Sequence, residues 1–164
     1  MIRFVTTFCY VGRLRPAPGT WGSAVAVALA LLLHGLGGFP LLAVATLAVT
    51  VLAFWAVARD IAGRVDKDPS EIVIDEVAGQ WLAMLAPSLG FWMAGLDGWN
   101  FPWPGWVGAF ALFRLFDIWK PGPVGWADRR SGTAGVMLDD LIAGVLAGLG
   151  VILAAGLYHG VLMR

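Results

Sequence analysis

Charged residues and apolar runs alternate along this chain, and that alternation limits its fold more than any other feature. The apolar runs cover residues 21–36, 40–57, 77–93, 105–119 and 136–157. Each approaches the roughly 20 residues that a helix needs to cross a hydrocarbon core, the first and fourth being short enough to lie tilted or partly buried. Arg3, Arg13 and Arg15 precede the first run, residues 59–76 separate the second from the third, and residues 114–140 join the fourth to the fifth. Of the eleven basic and eleven acidic residues, only Asp97 and Arg164 fall outside these three stretches. A chain that crosses five times therefore puts every other charge on one side. The Lys/Arg bias makes that side cytoplasmic, with the N-terminus inside and the C-terminus outside. Trp99, Phe101, Trp103 and Trp106 crowd the far connection, while Trp21, Trp55, Trp119 and Trp126 sit near the charged ends, as two aromatic belts would. Pro87 is expected to kink the third crossing.

Composition agrees. The chain is 59% hydrophobic and 13% charged, against about 25% charged in an average soluble domain. Its 164 residues make one domain, residues 1–164. The expected fold is an all-α polytopic bundle of four to five membrane helices. Zero net charge and the lack of a basic cluster exclude a nucleic-acid partner. The single Cys9 excludes an internal disulfide and a multi-Cys zinc site. Residues 4–11 are too short, and too polar at Thr6 and Thr7, to read as a secretory signal.

Acids balance bases on the charged side, which orientation alone does not require. Two segments are alike: Ile74-Asp75-Glu76-Val77-Ala78-Gly79 and Leu138-Asp139-Asp140-Leu141-Ile142-Ala143-Gly144. Each sets adjacent acids at the start of a long apolar run, with small residues one turn on. Gly79/Ala83, Ala143/Ala147 and Gly144/Gly148 are small pairs at i,i+4, the spacing that lets helix backbones approach closely. Packed on those faces, Asp75, Glu76, Asp139 and Asp140 converge, and converging carboxylates need positive charge between them. Hard oxygen ligands suit Mg²⁺, which takes a few carboxylates and substrate phosphate oxygens. Helix capping alone accounts for one acid at a helix start. It accounts less well for two adjacent pairs at membrane depth, where ionisable groups are expensive.

Other residues complete a phosphate site. Residues 16–23 run Pro-Ala-Pro-Gly-Thr-Trp-Gly-Ser into the first apolar run, with Thr20 or Ser23 as helix cap and free N–H groups suited to an anion. Arg114, Asp117 and Lys120 recur every three residues near the end of the fourth run, which Pro121 stops. Arg114 and Lys120 would hold phosphate oxygens while Asp117 orients one of them or adds a ligand. Cys9 and Arg15 have the spacing of a thiol phosphatase, but two residues match at near-chance frequency and the loop is poor in glycine. His34 and His159 are isolated on apolar segments.

Taken together, Ala17 through Ser23, Asp60, Asp68 through Gly79, Phe113 through Pro121, Asp128 and Met137 through Gly144 resemble the phosphatidylglycerophosphatase A family, in the family's order and over nearly the whole chain. The resemblance implies Mg²⁺-dependent hydrolysis of the terminal phosphate of phosphatidylglycerophosphate at the cytoplasmic leaflet of the bacterial inner membrane. Metal binding is then expected from Asp75, Glu76, Asp139 and Asp140, and phosphate binding from Thr20, Ser23, Arg114 and Lys120. Asp117 would orient them, with Asp60, Asp68 and Asp128 as reserves. The alternative is an ion or proton-coupled transporter with a carboxylate-lined path. The far half offers such a path only Asp97, His34, His159 and Arg164.

Overall fold

The computed structural model describes residues 1–64, 66, 69–100 and 102–162. Lys67, Asp68, Phe101 and Arg164 lie outside the described residues. Among the described residues there is no strand, and the all-α expectation holds. In chain order the elements are α1 (Ile2–Thr6), a 3₁₀ turn (Val11–Arg13), α2 (Pro18–Asp60), α3 (Ile74–Met93), α4 (Trp103–Trp119), α5 (Pro123–Asp128) and α6 (Thr133–Leu157), which runs into a π-helical turn.

The 43 residues of α2 do not form one rod. Gly37 leaves the helical region at φ −152°, and Gly38 adopts φ 63°, ψ −159°, a backbone region essentially closed to residues with a Cβ. Pro40 follows, where its missing N–H does no harm at the start of a new helical stretch. The chain therefore doubles back, and both ends of α2 meet the same segment. Near its start, a Cβ on Gly22 would lie 3.0 Å from Val73 Cβ. At its end, Asp60 accepts a hydrogen bond from Thr6 Oγ1 at 2.8 Å, while the carbonyl of Thr6 accepts from the Val73 N–H at 3.0 Å. The bend lies at the opposite pole, where a Cβ on Gly35 would stand 2.6 Å from the Trp99 ring and one on Gly38 2.9 Å from Trp92. Two antiparallel arms, residues 18–36 and 39–60, thus join α3, α4 and α6 in a bundle of rods.

Packing in this bundle is inverted relative to a water-soluble protein. Ala26, Ala30, Ala53, Ala78, Ala83, Ala109, Ala143 and Ala147 are wholly buried, while Leu36, Val44, Leu47, Val51, Leu149, Ile152 and Leu153 face outward. Small residues inside and large aliphatic ones outside are what lipid solvation permits, since packing rather than water exclusion holds such helices together. Two helical stretches, Pro18–Asp60 and Thr133–Gly160, are long and apolar enough to cross a membrane, and only 33% and 28% of their most apolar windows are buried. A core helix of a soluble protein would be mostly buried.

Two expectations change. Trp106 is buried rather than part of a surface belt, because α4 begins at Trp103 and carries it one turn inside, against His34 at 5.3 Å between ring centroids. His34 is not isolated: its Nδ1 pairs with Ser88 Oγ at 2.7 Å. Pro87 sits within α3, which continues past it to Met93 as a single helix.

Candidate active site

The contact between α3 and α6 creates the site. A Cβ on Gly79 would lie 2.5 Å from the Asp140 carbonyl oxygen, and one on Gly144 would overlap the Gly79 carbonyl. Two glycines at the crossing thus let the backbones touch. Asp75 and Glu76, one turn before Gly79, are brought beside Asp140, one turn before Gly144. One oxygen from each of Asp75, Glu76 and Asp140 lies within 4.8 Å of the others. Asp75 and Asp140 are buried. Glu76 Oε2 and Asp140 Oδ1 are buried with no protein partner.

Helix-end effects account for only part of this set: Asp75 and Glu76 lie in the first turn of α3, where the dipole favours acids and Asp75 Oδ1 accepts from the Glu76 N–H at 3.0 Å. Asp139 and Asp140 lie about two turns inside α6, which starts at Thr133 rather than at the expected apolar boundary, so the helix dipole does little for them.

Asp139 takes a different direction from its neighbour. It accepts a hydrogen bond from Lys120 Nζ at 2.8 Å, and Lys120 also pairs closely with Asp128. Lys120 is not on the face of α4 shared by Arg114 and Asp117. The helix ends at Trp119, and Lys120 adopts a left-handed conformation, φ 51° and ψ 54°, that closes the helix with its N–H on the Phe116 carbonyl at 2.8 Å. Pro121 disfavours the right-handed helical region for the residue before it, so Lys120 leaves the helix and its ammonium meets two acids. Partial burial works against that charge, but the hydrogen bonds to Asp128 and Asp139 hold its pKa above the ordinary lysine value.

Arg114 and the start of α2 form the opposite wall. Arg114 Nη1 pairs with Asp117 Oδ2 at 2.5 Å and donates to Ser23 Oγ at 3.4 Å. The Ser23 hydroxyl donates to the Gly19 carbonyl at 2.9 Å. Neither Thr20 nor Ser23 caps the helix: it begins at Pro18 behind Ala17, with no side-chain cap. Gly19 packs so tightly on Glu76 that a Cβ there would overlap Oε1 and stand 3.2 Å from Arg114 Nη1. The unpaired N–H groups of this first turn therefore border the acids.

These walls enclose a cavity of about 390 Å³ lined by Gly19, Thr20, Asp75, Glu76, Arg114, Asp117, Lys120, Asp139 and Asp140, among others. Every residue expected at the site from the sequence except Ser23 lines it, and Ser23 is held one bond behind, on Arg114. Asp60 is elsewhere, paired with Arg64 at 2.6 Å and with Thr6. Asp128 reaches the site only through Lys120. Cys9 is exposed, and neither it nor Arg15 borders the cavity. Gln80 was not anticipated. It is fully buried, with neither amide atom partnered, and it lies four residues after Glu76, hence on the same face of α3. A lone amide at that spacing in an apolar helix was the available signal.

With its acids ionised, a cavity lined by five acids and two bases carries an excess of negative charge, and a phosphate entering it needs a cation to offset that charge. All the donors in the Asp75, Glu76 and Asp140 cluster are oxygens, and two buried carboxylate oxygens have no other partner, so the residues present fit a small hard divalent cation.

A family model described as phosphatidylglycerophosphatase A matches residues 4–155. A phosphatidylglycerophosphatase A of Haemophilus influenzae is 33% identical over 138 residues, 83% of this chain and 77% of the relative. One of Escherichia coli is 32% identical over 134 residues, 79% of this chain and 69% of the relative. A Bacteroides thetaiotaomicron protein provisionally named a phosphatidylinositol-3-phosphatase is 38% identical over 135 residues, 79% of this chain and 77% of the relative. No solved structure matches the chain.

Proposed function

Because the chain belongs to the phosphatidylglycerophosphatase A family, we propose that it hydrolyses the terminal phosphate of phosphatidylglycerophosphate, giving phosphatidylglycerol and inorganic phosphate, in a Mg²⁺-dependent reaction at the cytoplasmic face of a bacterial inner membrane. Membership makes the chain a phosphatase. The observation that carries the finer reading is the cluster of three carboxylates facing Arg114 and the start of α2, in one cavity at the charged pole of an apolar bundle. In this reading the two arms of α2 and the helices α3, α4 and α6 each cross the bilayer, although by length and composition only Pro18–Asp60 and Thr133–Gly160 qualify as spans.

Asp75, Glu76 and Asp140 would hold the metal, which when bound supplies positive charge to the phosphoryl oxygens and lowers the barrier to attack by water. Arg114 and the N–H groups of Gly19 and Thr20 grip the phosphate from the opposite side. Asp117 and Ser23 fix the guanidinium in that direction. Lys120 supplies a second cation at the cavity wall and holds Asp139, whose buried Oδ1 has no partner and is free to orient the attacking water. The water adds to phosphorus, the bond from phosphorus to the glycerol oxygen breaks, and that oxygen leaves with the proton that the water gives up. Loose phosphoryl transition states respond chiefly to positioning and charge, which this set of residues provides.

The test is phosphate release from phosphatidylglycerophosphate in detergent micelles, with and without Mg²⁺, beside phosphatidic acid and phosphatidylinositol 3-phosphate. Metal-dependent release that prefers phosphatidylglycerophosphate supports the reading. Preference for the inositol lipid would move the substrate towards the name of the Bacteroides relative. Release unaffected by chelation would remove the metal. Transport has no observation in its favour.

A further inference from the structure

We propose that the cleft between the first arm of α2 and α4 is a binding site for one acyl chain of the lipid substrate, leading from the bilayer to the phosphate cavity. This rests on the phosphatase reading above and adds to it a route for the rest of the molecule. A second cavity, of about 330 Å³, lies between these two helices and is lined only by apolar or aromatic side chains, among them Ala24, Val27 and Leu31 of α2 and Trp103, Val107 and Phe110 of α4. Its register ties it to the site. Thr20 borders the phosphate cavity, and Ala24, Val27 and Leu31 follow it by 4, 7 and 11 residues. Arg114 borders the same cavity from α4, and Phe110, Val107 and Trp103 precede it by the same intervals. Spacings of 4, 7 and 11 stay on one helical face, so the two faces that frame the phosphate continue inward for about 16 Å along each axis.

The cleft has a back wall and stays open in front. Trp81 Nε1 donates to the Ala26 carbonyl at 2.8 Å and ties α2 to α3 behind it. Trp106 is 3% exposed and packs on His34 towards the far end, whereas Val107 and Trp103 are 54% and 71% exposed along the open side. A larger apolar groove of about 520 Å³ lies between the second arm of α2, α3 and α6. Its α6 residues Leu141, Ile142, Val145 and Leu146 centre roughly half a turn around the helix from Asp140, so it leads away from the carboxylates. An acyl chain gains little hydrophobic energy by moving from lipid into an apolar cleft. The benefit of the cleft is orientation: it holds the glycerol backbone at the membrane surface with the phosphate turned towards Arg114.

Ala24→Trp and Val27→Trp fill the cleft without altering any residue assigned to metal or phosphate. Each is expected to lower kcat/KM on dioleoyl phosphatidylglycerophosphate by at least about tenfold while leaving the dibutyryl lipid within about twofold. Equal effects on the two lipids, or none on either, would overturn the proposal. A wild-type protein inactive on both lipids overturns the phosphatase reading instead. The cleft is then judged by photo-crosslinking the wild-type protein with phosphatidic acid carrying a diazirine in one acyl chain. Adducts concentrated on residues 24–31 and 103–110 support it, and adducts in the groove beside Val145 or spread around the bundle reject it.

Discussion

Asp139 and Asp140 are neighbours in sequence but face different partners in the structure. Successive helical residues point about 100° apart, so Asp140 turns to Asp75 and Glu76 while Asp139 turns to Lys120. Asp140→Asn and Glu76→Gln should each cost about 10²-fold or more in phosphate release, by the scale on which removing one charge-stabilising group at a reacting centre acts. Both should elute as the wild type does on size exclusion. Near wild-type rates in folded Asp140→Asn would remove the cluster from the mechanism. Lys120→Met frees Asp139 and deletes one of two cations, so a loss of about tenfold or more in kcat/KM is expected from steady-state kinetics. Its raised pKa keeps Lys120 charged at neutral pH, and stabilisation from its ion pairs fades only as pH rises through that elevated value. Adjacency and the wish to compensate charge were enough to select Asp75, Glu76, Asp139 and Asp140 from the sequence. The different directions taken by the last two depend on which way each helix face turns, which no residue count reveals.

At the scale of elements, the small-residue spacing that marked α3 and α6 as partners is realised at Gly79 and Gly144. Because a Cβ on Gly144 would overlap the Gly79 carbonyl, Gly144→Val must push the helices apart. Overpacking of this kind costs about 1–3 kcal/mol, so the thermal unfolding midpoint in detergent should fall. Activity should fall further than stability, since separation moves Asp140 from Glu76. Full activity in a destabilised variant would show that the crossing matters only for packing. The break in α2 was legible as the interval between residues 36 and 40, where two glycines and Pro40 interrupt the apolar pattern. Other boundaries were not. Thr133, Ala134 and Gly135 are helical without being strongly apolar, so α6 begins earlier than hydropathy indicates, and Asp139 and Asp140 fall deeper within it. Lys120 leaves α4 because of the proline after it, a local steric effect that the three-residue spacing from Arg114 and Asp117 hides.

For the whole molecule, the charged pole and the aromatic pole turn out to be two ends of one bundle. Thr20, Glu76, Arg114 and Asp140 meet at one end, while Gly35, Trp92, Phe91 and Gly105 pack at the other. Long apolar side chains cover the middle, and the nine tryptophans include exposed ones at both ends. Such a body is stable in a bilayer in one family of orientations, with both poles in water or headgroups. Since Arg and Lys concentrate at the site's end, that end should face the cytoplasm. The chain has one native cysteine, Cys9, so a Cys9→Ser background permits single-cysteine labelling in spheroplasts with an impermeant maleimide. Ser70→Cys and Ser131→Cys, in exposed connections at the site's end, should react only after the membrane is permeabilised. Gly98→Cys would crowd the Gly35 carbonyl at 3.0 Å, so Asn100→Cys, exposed in the far connection, is the better reporter there and should react in intact spheroplasts. The reverse pattern would put the cavity outside, where a lipid made on the cytoplasmic leaflet could not reach it. The same accessibility at all three positions, whether before or only after permeabilisation, would put both ends of the bundle on one side of the membrane, and the five-crossing topology would fall with it.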